Sequence, residues 1–235
     1  MTTDLIYNIN AIINILKFNS NLINKIYIYK INKKILNIIN YSKYLNIKLI
    51  YINFINNKNL KYIIKNFYII MQIKIINNKF TITNSILQNN FNGLILDRIQ
   101  DPHNLASCIR TCEAFNITFL ILSKKNTVKI NTLINNISHA TSLFLPILIV
   151  NNLKNIINYI INKKIKIIGF SSRSNQLIHH INLKTPVVII MGSEKNGIRK
   201  YIINKCDHVY KIPMLGKCDN INLSVATGII LYCLN

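Results

Sequence analysis

The side chains suited to acid, base or anion chemistry are few in this chain, and they are unevenly placed. The 235-residue sequence contains seven acidic residues, and six of them lie from residue 93 onward. The same part of the chain holds all six glycines, all four prolines and all four arginines, Arg98, Arg110, Arg173 and Arg199. Ile, Asn and Lys dominate the rest, which is typical of drift toward AT-rich codons. Residues with GC-rich codons should then persist where replacement is costly, so we expect the chemistry in the C-terminal part.

The elements that must position these residues alternate between strand and helix. Apolar runs at residues 94–96, 117–122, 165–168 and 186–191 predict buried strands, and residues 151–162 predict a helix. Asp101-Pro102 predicts the N-cap and first residue of another helix, which runs through residue 115. This order predicts an α/β fold with a mostly parallel sheet and helices on both faces.

Parallel sheets of this kind bind ligands beyond the carboxyl ends of their strands, so we expect a site in the loops after Leu96, Met191 and Ile212. Neither of two common nucleotide motifs occurs there. No candidate strand is followed by GxGxxG, and residues 192–197 continue with Ile198-Arg199 where a P-loop has Lys-Ser or Lys-Thr. Ordinary dinucleotide-binding and NTPase functions are therefore disfavoured.

The N-terminal part predicts a separate small α/β domain. Helical patterns cover residues 9–17 and 33–44, and strand patterns cover 25–29 and 47–52. Residues 76–92, rich in Asn and Thr, have no clear period and predict a linker. We expect three parts: a domain over 1–75, a linker over 76–92 and a catalytic domain over 93–235.

Charge and cysteine content limit the partners. The formal charge of +22 fits a nucleic-acid partner, but lysine from AT-rich codons explains it equally well, so both interpretations stay open. No apolar run reaches the length of a membrane span, and the first residues lack a secretory signal, so we expect a cytoplasmic chain without a membrane partner. Five cysteines without zinc spacing predict no disulfide and no metal, and Cys108 and Cys112, four apart on a predicted helix, are expected to be buried, inert thiols.

Three segments together resemble the SpoU/TrmH methyltransferases of the SPOUT class. They are LDRIQDPHNLASCIR at 96–110, VIIMGSEKNGI at 188–198, and IPMLG at 212–216 with INLSVATG at 221–228. Their order and separations match that family over nearly all of residues 93–235. Residues 6–12, IYNINAI, resemble the opening of the ribosomal-protein-like substrate-binding domain of members that act on large-subunit ribosomal RNA.

The resemblance implies both a fold and an activity. The fold would be a SPOUT domain with a deep trefoil knot, paired into a homodimer and preceded by a small RNA-binding domain. The activity would be transfer of a methyl group from S-adenosylmethionine to a ribose 2′-hydroxyl of RNA. The Asp-Pro-His-Asn form of the first segment favours the branch that modifies a guanosine of 23S ribosomal RNA.

The resemblance also implies site residues. A hydroxyl is a poor nucleophile at neutral pH, so the site must align it, help remove its proton and hold the flanking phosphates. The catalytic candidates are Asn104, Arg110, Glu194, Asn222 and Ser224, and backbone groups of Gly192, Ile212 and Ile221 would hold the cofactor. Arginine keeps its proton in proteins, so we prefer a phosphate or 2′-oxygen clamp over a base role for Arg110.

Each candidate also has a purely structural interpretation. Asn104, Asn222 and Ser224 could cap helices, Glu194 could supply negative charge at a helix N-terminus, and Arg110 could form a surface salt bridge. Two other functions stay open. A tRNA ribose methyltransferase would have short flanking helices in place of a compact domain at 1–75, and a non-catalytic RNA-binding or ribosome-assembly protein could keep the fold without the activity.

Overall fold

The computed structural model describes residues 3–52, 68–74, 91–180 and 186–234. Its strands are β1 (Thr3–Ile6), β2 (Ile23–Ile28), β3 (Leu49–Tyr51), β4 (Ile69–Lys74), β5 (Asn92–Leu96), β6 (Phe119–Ser123), β7 (Ile147–Val150), β8 (Lys166–Phe170), β9 (Gln176–Leu177), β10 (Val187–Met191) and β11 (His208–Lys211). Its helices are α1 (Ile9–Phe18), α2 (Lys33–Tyr44), α3 (Pro102–Ala114), α4 (Thr132–Ile137), α5 (Leu153–Asn162), α6 (Lys200–Ile203) and α7 (Leu223–Cys233). No described helix combines the length and the apolar character that crossing a bilayer requires.

The chain divides into two compact units. The described residues up to 74 form the first unit together with residues 131–141, and the remaining described residues form the second. The predicted linker at 76–92 lies outside the described residues except for Phe91 and Asn92. The boundaries expected from the sequence stay a prediction, and the inclusion of residues 131–141 in the first unit was not expected.

The first unit is built on a four-stranded mixed sheet in the order β1-β4-β2-β3. Strand β4 runs antiparallel to β1 and β2, while β2 and β3 are parallel. Buried isoleucines such as Ile12, Ile26 and Ile73 form its core. Helices α1 and α2 cover the residues that the sequence pattern predicted, so the α/β character expected for this part of the chain is confirmed.

Residues 131–141 are held in the first unit by hydrogen bonds to β1. The buried carboxylate of Asp4 accepts from the hydroxyl of Thr132 and from the side-chain amide of Asn135, the latter at 2.7 Å. The Oδ1 atom of Asn136 accepts from the backbone N–H groups of Tyr7 and Asn8 at 2.7 and 2.9 Å. The N–H of Leu5 is a third donor to Asp4, so this buried carboxylate avoids the cost of an unpaired charge.

The second unit is a seven-stranded sheet in the order β7-β6-β5-β10-β8-β11-β9. All six neighbouring pairs are parallel. The predicted parallel sheet is therefore confirmed. Its central strand β10 is buried along its whole length, and one core layer packs Phe119 and Ile190 against Ile157 of α5. Because β5, β10 and β8 are adjacent and parallel, the loops that follow them lie at one edge of the sheet.

Asparagine begins most of the helices. In five described helices the N-cap asparagine accepts a hydrogen bond from a backbone N–H of the first turn. These caps are Asn8 of α1, Asn32 of α2, Asn131 of α4, Asn152 of α5 and Asn222 of α7. Asparagine is among the best N-cap residues because its side-chain oxygen satisfies a donor that the helix leaves free. Individual asparagines in this asparagine-rich sequence thus mark where helices start.

Candidate functional site

Four of the five catalytic candidates are joined by hydrogen bonds at the carboxyl edge of the parallel sheet. Asn104 lies in the first turn of α3, where it is 8% exposed, and its side-chain amide donates to Oε1 of Glu194. Its Oδ1 accepts from Nδ2 of Asn222 at 2.8 Å. The Oδ1 of Asn222 accepts from the hydroxyl of Ser224 at 2.6 Å. The loop after β10, helix α3 and the start of α7 therefore meet at one continuous polar chain.

Helix caps position two members of this hydrogen-bonded series, Asn104 and Asn222. Asp101 caps α3 by accepting from the N–H groups of His103 and Asn104, and Pro102 occupies the first helical position. Asn222 caps α7 by accepting from the N–H of Ser224 at 2.8 Å. The capping predicted for Asn222 is confirmed, and the same side chain also donates to Asn104, so capping does not prevent it from joining the other candidates.

Among the described residues, only one carboxylate oxygen of Glu194 has a hydrogen-bond partner. Glu194 is exposed in the turn between Ser193 and Gly197, and its Oε1 accepts from Asn104. Helix α6 begins at Lys200, six residues further on, so Glu194 does not lie in the first turn of a helix. A carboxylate with one oxygen held and one open can accept a proton or a hydrogen bond from a hydroxyl.

Arg110 is not part of the chain of hydrogen bonds. It is exposed on α3, six residues after Asn104 and on a different face, and it has no ion pair with any described residue. Its neighbour Thr111 faces α7, where its methyl group lies 4.0 Å from the position of a Cβ built on Gly228. A single chain therefore leaves the arginine open to solvent.

The three backbone candidates for cofactor binding line one cavity of about 300 Å³. Gly192 lies in the wall formed by the loop after β10, Ile212 in the loop after β11, and Ile221 just before α7. Phe170 and Met191 add apolar surface, as expected for a small-molecule pocket. The candidates are thus brought together by three different segments of the chain.

Glycine is required at position 192. A Cβ at this position would lie 2.0 Å from the carbonyl carbon of Gly197, because Ser193 and Gly197 pair across a tight turn. The amide N–H of Gly197 donates to the carbonyl of Ser193 at 2.7 Å, and Gly197 itself has a φ of 62°. This turn sets the position of Glu194 and of the cavity wall.

A second cavity of about 350 Å³ opens on the other side of the same turn. The loop after β5 lines it with Arg98, Gln100 and Asp101, and Asn126 adds a further polar side chain. Glu194 lines both cavities. A carboxylate that lines both cavities can contact a ligand in either one.

An ionic cluster that the sequence pattern did not predict adjoins the second cavity through Arg98. Asp97 is fully buried, and Arg199 binds its two carboxylate oxygens at 2.8 Å each. Arg98 approaches the same carboxylate at 3.3 Å and donates to the carbonyl of Gly197 at 3.2 Å. The rarity of acids and arginines singled out these residues, but only their contacts show that they brace the turn that carries Glu194.

Buried thiols lie behind the site. Burial raises the pKa of Cys108 to about 11, opposed by a hydrogen bond with Thr227 and aided by the negative charge of Glu194. Burial raises the pKa of Cys112 well above the ordinary value. Within the part of the chain that the structure describes, no cluster of His, Cys, Asp or Glu could hold a metal ion. Cys108 and Cys112 are buried as predicted, whereas Cys206 is half-buried and Cys218 and Cys233 are exposed.

Comparison with known proteins agrees with the resemblance of the three segments. Residues 92–232 match the SpoU rRNA Methylase family. The 23S rRNA (guanosine-2′-O-)-methyltransferase RlmB of Blochmanniella floridana is 35% identical over 139 residues, which cover 59% of this chain and 55% of that protein. The chain spans about half the length of the curated relatives it matches.

Solved structures share the fold. The SpoU methyltransferase AviRb from Streptomyces viridochromogenes, solved with AdoMet, has a TM-score of 0.79 at 16% identity and covers 98% of this chain and 88% of its own. The TrmH/SpoU tRNA modifying enzyme of A. aeolicus has a TM-score of 0.56 at 25% identity and covers 63% of this chain and 76% of its own. Since the family match extends over more than half of the sequence, the chain belongs to the SpoU rRNA Methylase family.

Proposed function

We propose that this protein transfers a methyl group from S-adenosylmethionine to a ribose 2′-hydroxyl of RNA, and that the substrate is a guanosine of 23S ribosomal RNA. The observation that carries the proposal is the hydrogen-bonded chain from Glu194 through Asn104 to Asn222 and Ser224, whose first member, Glu194, lines two cavities. Family membership and the names of the RlmB relatives support the same reaction.

The first cavity fits the cofactor. Its volume of about 300 Å³ lies at the lower end of the range for small-molecule sites, and Ile212 and Ile221 offer apolar walls for a base. Backbone groups near Gly192 can approach a ligand closely because no side chain intervenes. When bound there, S-adenosylmethionine supplies an electrophilic methyl group on a sulfonium.

The second cavity would receive the target nucleotide. Its polar side chains, Arg98, Gln100 and Asn126, can hydrogen-bond a ribose, a phosphate or a base edge. Glu194 then accepts a hydrogen bond from the 2′-hydroxyl and aligns it, while Asn104 holds the carboxylate in place. The new bond joins O2′ to the methyl carbon, the carbon–sulfur bond breaks, and the hydroxyl proton leaves to a basic group or to water.

Arg110 acts in this proposal as a clamp on a phosphate of the bound RNA. Its exposure on α3 leaves the guanidinium free to meet an incoming strand, and a guanidinium binds phosphate with two parallel hydrogen bonds. A base role is disfavoured because the guanidinium does not lose its proton in proteins. It lies apart from the four connected residues, so it would reach the site through the substrate or from a second subunit.

Ribosomal RNA is preferred over tRNA because the described N-terminal residues form a unit with a four-stranded sheet rather than short flanking helices. We propose that this unit is the ribosomal-protein-like RNA-binding domain and that the enzyme works in the cytoplasm on ribosomal RNA. The similarity to a tRNA modifying enzyme of A. aeolicus keeps tRNA as the second candidate.

We also propose the trefoil knot and the homodimer that family membership implies. The loop at 212–221 lines the cofactor cavity together with the loop at 192–198, as expected where two crossing segments form a knot. An experimental structure whose backbone unties when its ends are pulled would refute the knot.

The test is methyl transfer from labelled S-adenosylmethionine to unmodified large-subunit ribosomal RNA, with the product mapped at the ribose. We expect label on one 2′-oxygen, a large loss in Arg110→Ala and a smaller loss in Arg110→Lys, which keeps the charge. Label on tRNA alone would favour the second candidate. Tight RNA binding without transfer to either RNA would refute the enzymatic function and leave a binding protein.

A further inference from the structure

The sheet of the first unit ends in a cluster of two tyrosines and a lysine. Strand β2 is followed by Tyr29 and Lys30, and β4 is preceded by Tyr68. The N–H groups of Tyr29 and Lys30 both donate to the carbonyl of Tyr68, at 2.9 and 3.3 Å. The ammonium of Lys30 lies 5.9 Å from the ring centre of Tyr29 and 5.7 Å from that of Tyr68. One lysine therefore contacts both rings.

Both rings are accessible. Tyr29 is 42% exposed and Tyr68 is 44% exposed. They extend the antiparallel pairing of β2 with β4 by one residue beyond Ile28 and Ile69, so they are cross-strand neighbours on the same face. Paired aromatic rings at a strand end offer flat apolar surfaces on which planar groups can stack.

Positive charge is concentrated at the same end of the sheet. Helix α2 begins there, three residues after Lys30, and its first turn carries Lys33 and Lys34 without an acidic residue. The N-terminus of a helix carries partial positive charge, so these lysines stand where acidic side chains would be more stable. An anion bound from solution would relieve this unfavourable arrangement.

The first unit has no acidic side chain available to neutralise this charge. Its described residues include eight lysines and a single acid, Asp4, which is buried and hydrogen-bonded to Thr132 and Asn135. The cluster thus combines flat rings, three lysines and a helix N-terminus. Flat rings favour nucleobases, and the lysines favour phosphates.

We propose that Tyr29 and Tyr68 stack against unpaired bases of the RNA substrate while Lys30, Lys33 and Lys34 hold the adjoining phosphates. This proposal rests on RNA being the substrate, as argued above, and it names the form of RNA that the first unit binds. A duplex keeps its bases stacked within the helix, so the site selects loops, bulges or single strands.

The experiment compares paired substitutions in the full-length protein. Tyr29→Leu and Tyr68→Leu remove the aromatic ring, whereas Tyr29→Phe and Tyr68→Phe keep it. Tyr44→Leu is the matched control, because Tyr44 is 80% exposed but ends α2 at the opposite end of the sheet. Binding of a labelled unstructured RNA strand and of a duplex of equal length is measured without cofactor.

We expect each Leu variant to bind the single strand about 5- to 150-fold more weakly, the range that corresponds to loss of one base-stacking contact. The Phe variants and Tyr44→Leu should bind like the original protein, and duplex binding should not depend on the rings. The chain has no tryptophan but twelve tyrosines, so the emission sums over all of them. The part of the quenching by RNA that comes from Tyr29 and Tyr68 should be absent in the Leu variants. Lys33→Gln should reduce the slope of the logarithm of the binding constant against the logarithm of salt concentration by about 0.7, the value for one lost phosphate contact on a single strand.

Equal binding by the Leu and Phe variants would overturn the proposal, as would an equal loss for single strand and duplex. Poly-glutamate bound with the same dependence on the rings would also overturn it, since that would indicate an acidic protein partner. The assay needs no methyl transfer, so its outcome is separate from that of the proposed reaction. Ring-dependent binding without transfer would refute the reaction alone, and transfer without ring dependence would refute this site alone.

Discussion

At the scale of single residues, the amide of Asn104 is the centre of the candidate site. Its NH2 group donates to Glu194 and its oxygen accepts from Asn222, so both ends of one side chain are used. An amide is the side chain of this size that offers a donor and an acceptor together at every pH. This pair of hydrogen bonds therefore depends on asparagine at position 104.

Asn104→Asp should lower methyl transfer by about 5- to 150-fold, since a buried group left without its partner costs about 1–3 kcal/mol. The carboxylate introduced at position 104 can still accept from Asn222, but it cannot donate to Glu194. It also places a second negative charge beside the carboxylate of Glu194. Single-turnover transfer is the measurement, and circular dichroism checks folding. Ser107→Ala, on the same helix and outside the hydrogen-bonded chain, serves as control. Unchanged transfer in Asn104→Asp would refute the proposed alignment of Glu194.

Thiol reactivity tests the burial of the cysteines. The pKa of Cys108 is raised to about 11 and that of Cys206 to about 12, and Cys112 is raised as well, chiefly by burial in each case. A raised pKa keeps a thiol protonated and unreactive until the pH climbs toward the raised value. In a Cys233→Ser background, we expect Ellman's reagent near neutral pH to modify exposed Cys218 rapidly.

The other three thiols of that variant should react only after unfolding in denaturant, or slowly as the pH rises above about 9, where an ordinary thiol ionises. Cys218→Ser in the same background should abolish the fast phase. Rapid modification of two or more thiols in the folded protein would contradict the buried positions.

At the scale of elements, a short turn carries most of the site and an ionic cluster holds it. The turn at 192–198 forms a wall of both cavities, and Arg98 donates to the carbonyl of Gly197 within it. Arg98 has a φ of 63°, an uncommon conformation for a residue other than glycine, and its N–H donates to the hydroxyl of Ser123 at 2.9 Å. The ends of β5, β6 and β10 are thereby joined.

Asp97→Asn should destabilise the protein by about 3 kcal/mol, because it removes the buried charge that pairs with Arg199 and leaves the guanidinium without its counterion. Chemical denaturation measures this change. Arg199→Lys, which keeps the charge but loses the two-point contact, should cost less. Lys200→Gln, exposed and adjacent, should stay within about 0.5 kcal/mol of the original protein. An Asp97→Asn variant with the same free energy of unfolding as the original protein would show that the cluster does not brace the turn.

At the scale of the whole molecule, α7 has more apolar surface than one chain covers. Leu223 and Ile230 of this helix are buried, while Val225 is 53% and Tyr232 is 74% exposed, seven residues apart on one face. A helix that is apolar all round is normally buried on all sides. A second copy of the chain, as in the proposed homodimer, would cover this face.

Light scattering on the purified protein should give a mass of twice the 27.2 kDa of one chain. Tyr232→Glu should shift this mass toward the monomer, because a charge in an apolar interface is costly. Ile149→Glu is the control: Ile149 is 51% exposed on the edge strand β7, which β6 and β5 separate from β10, the strand whose Met191 contacts Thr227 of α7. A monomeric original protein, or the same shift in both variants, would refute an interface at α7.

The sequence by itself determined the parallel α/β character of residues 92–211, the capping of α3 by Asp101 and the family. These depend on local pattern: apolar runs, an Asp-Pro pair and short motifs in order. Strand β1 and helix α4 escaped prediction because four and six residues carry too little periodicity to be recognised. Strand β4 has six residues, IIMQIK, but its apolar and polar side chains do not alternate clearly.

Only the tertiary structure decided which rare side chains act together. Asp97 accepts hydrogen bonds from Arg199, which is 102 residues away in sequence, and Asn104 donates to Glu194, which is 90 residues away. Asn135 donates to Asp4 across 131 residues. Spacing along the chain cannot predict such pairs, because the order of strands in the sheet sets which loops are neighbours. The same holds for Arg110, which shares a motif with Asn104 but points elsewhere, since six residues of helix turn it to another face.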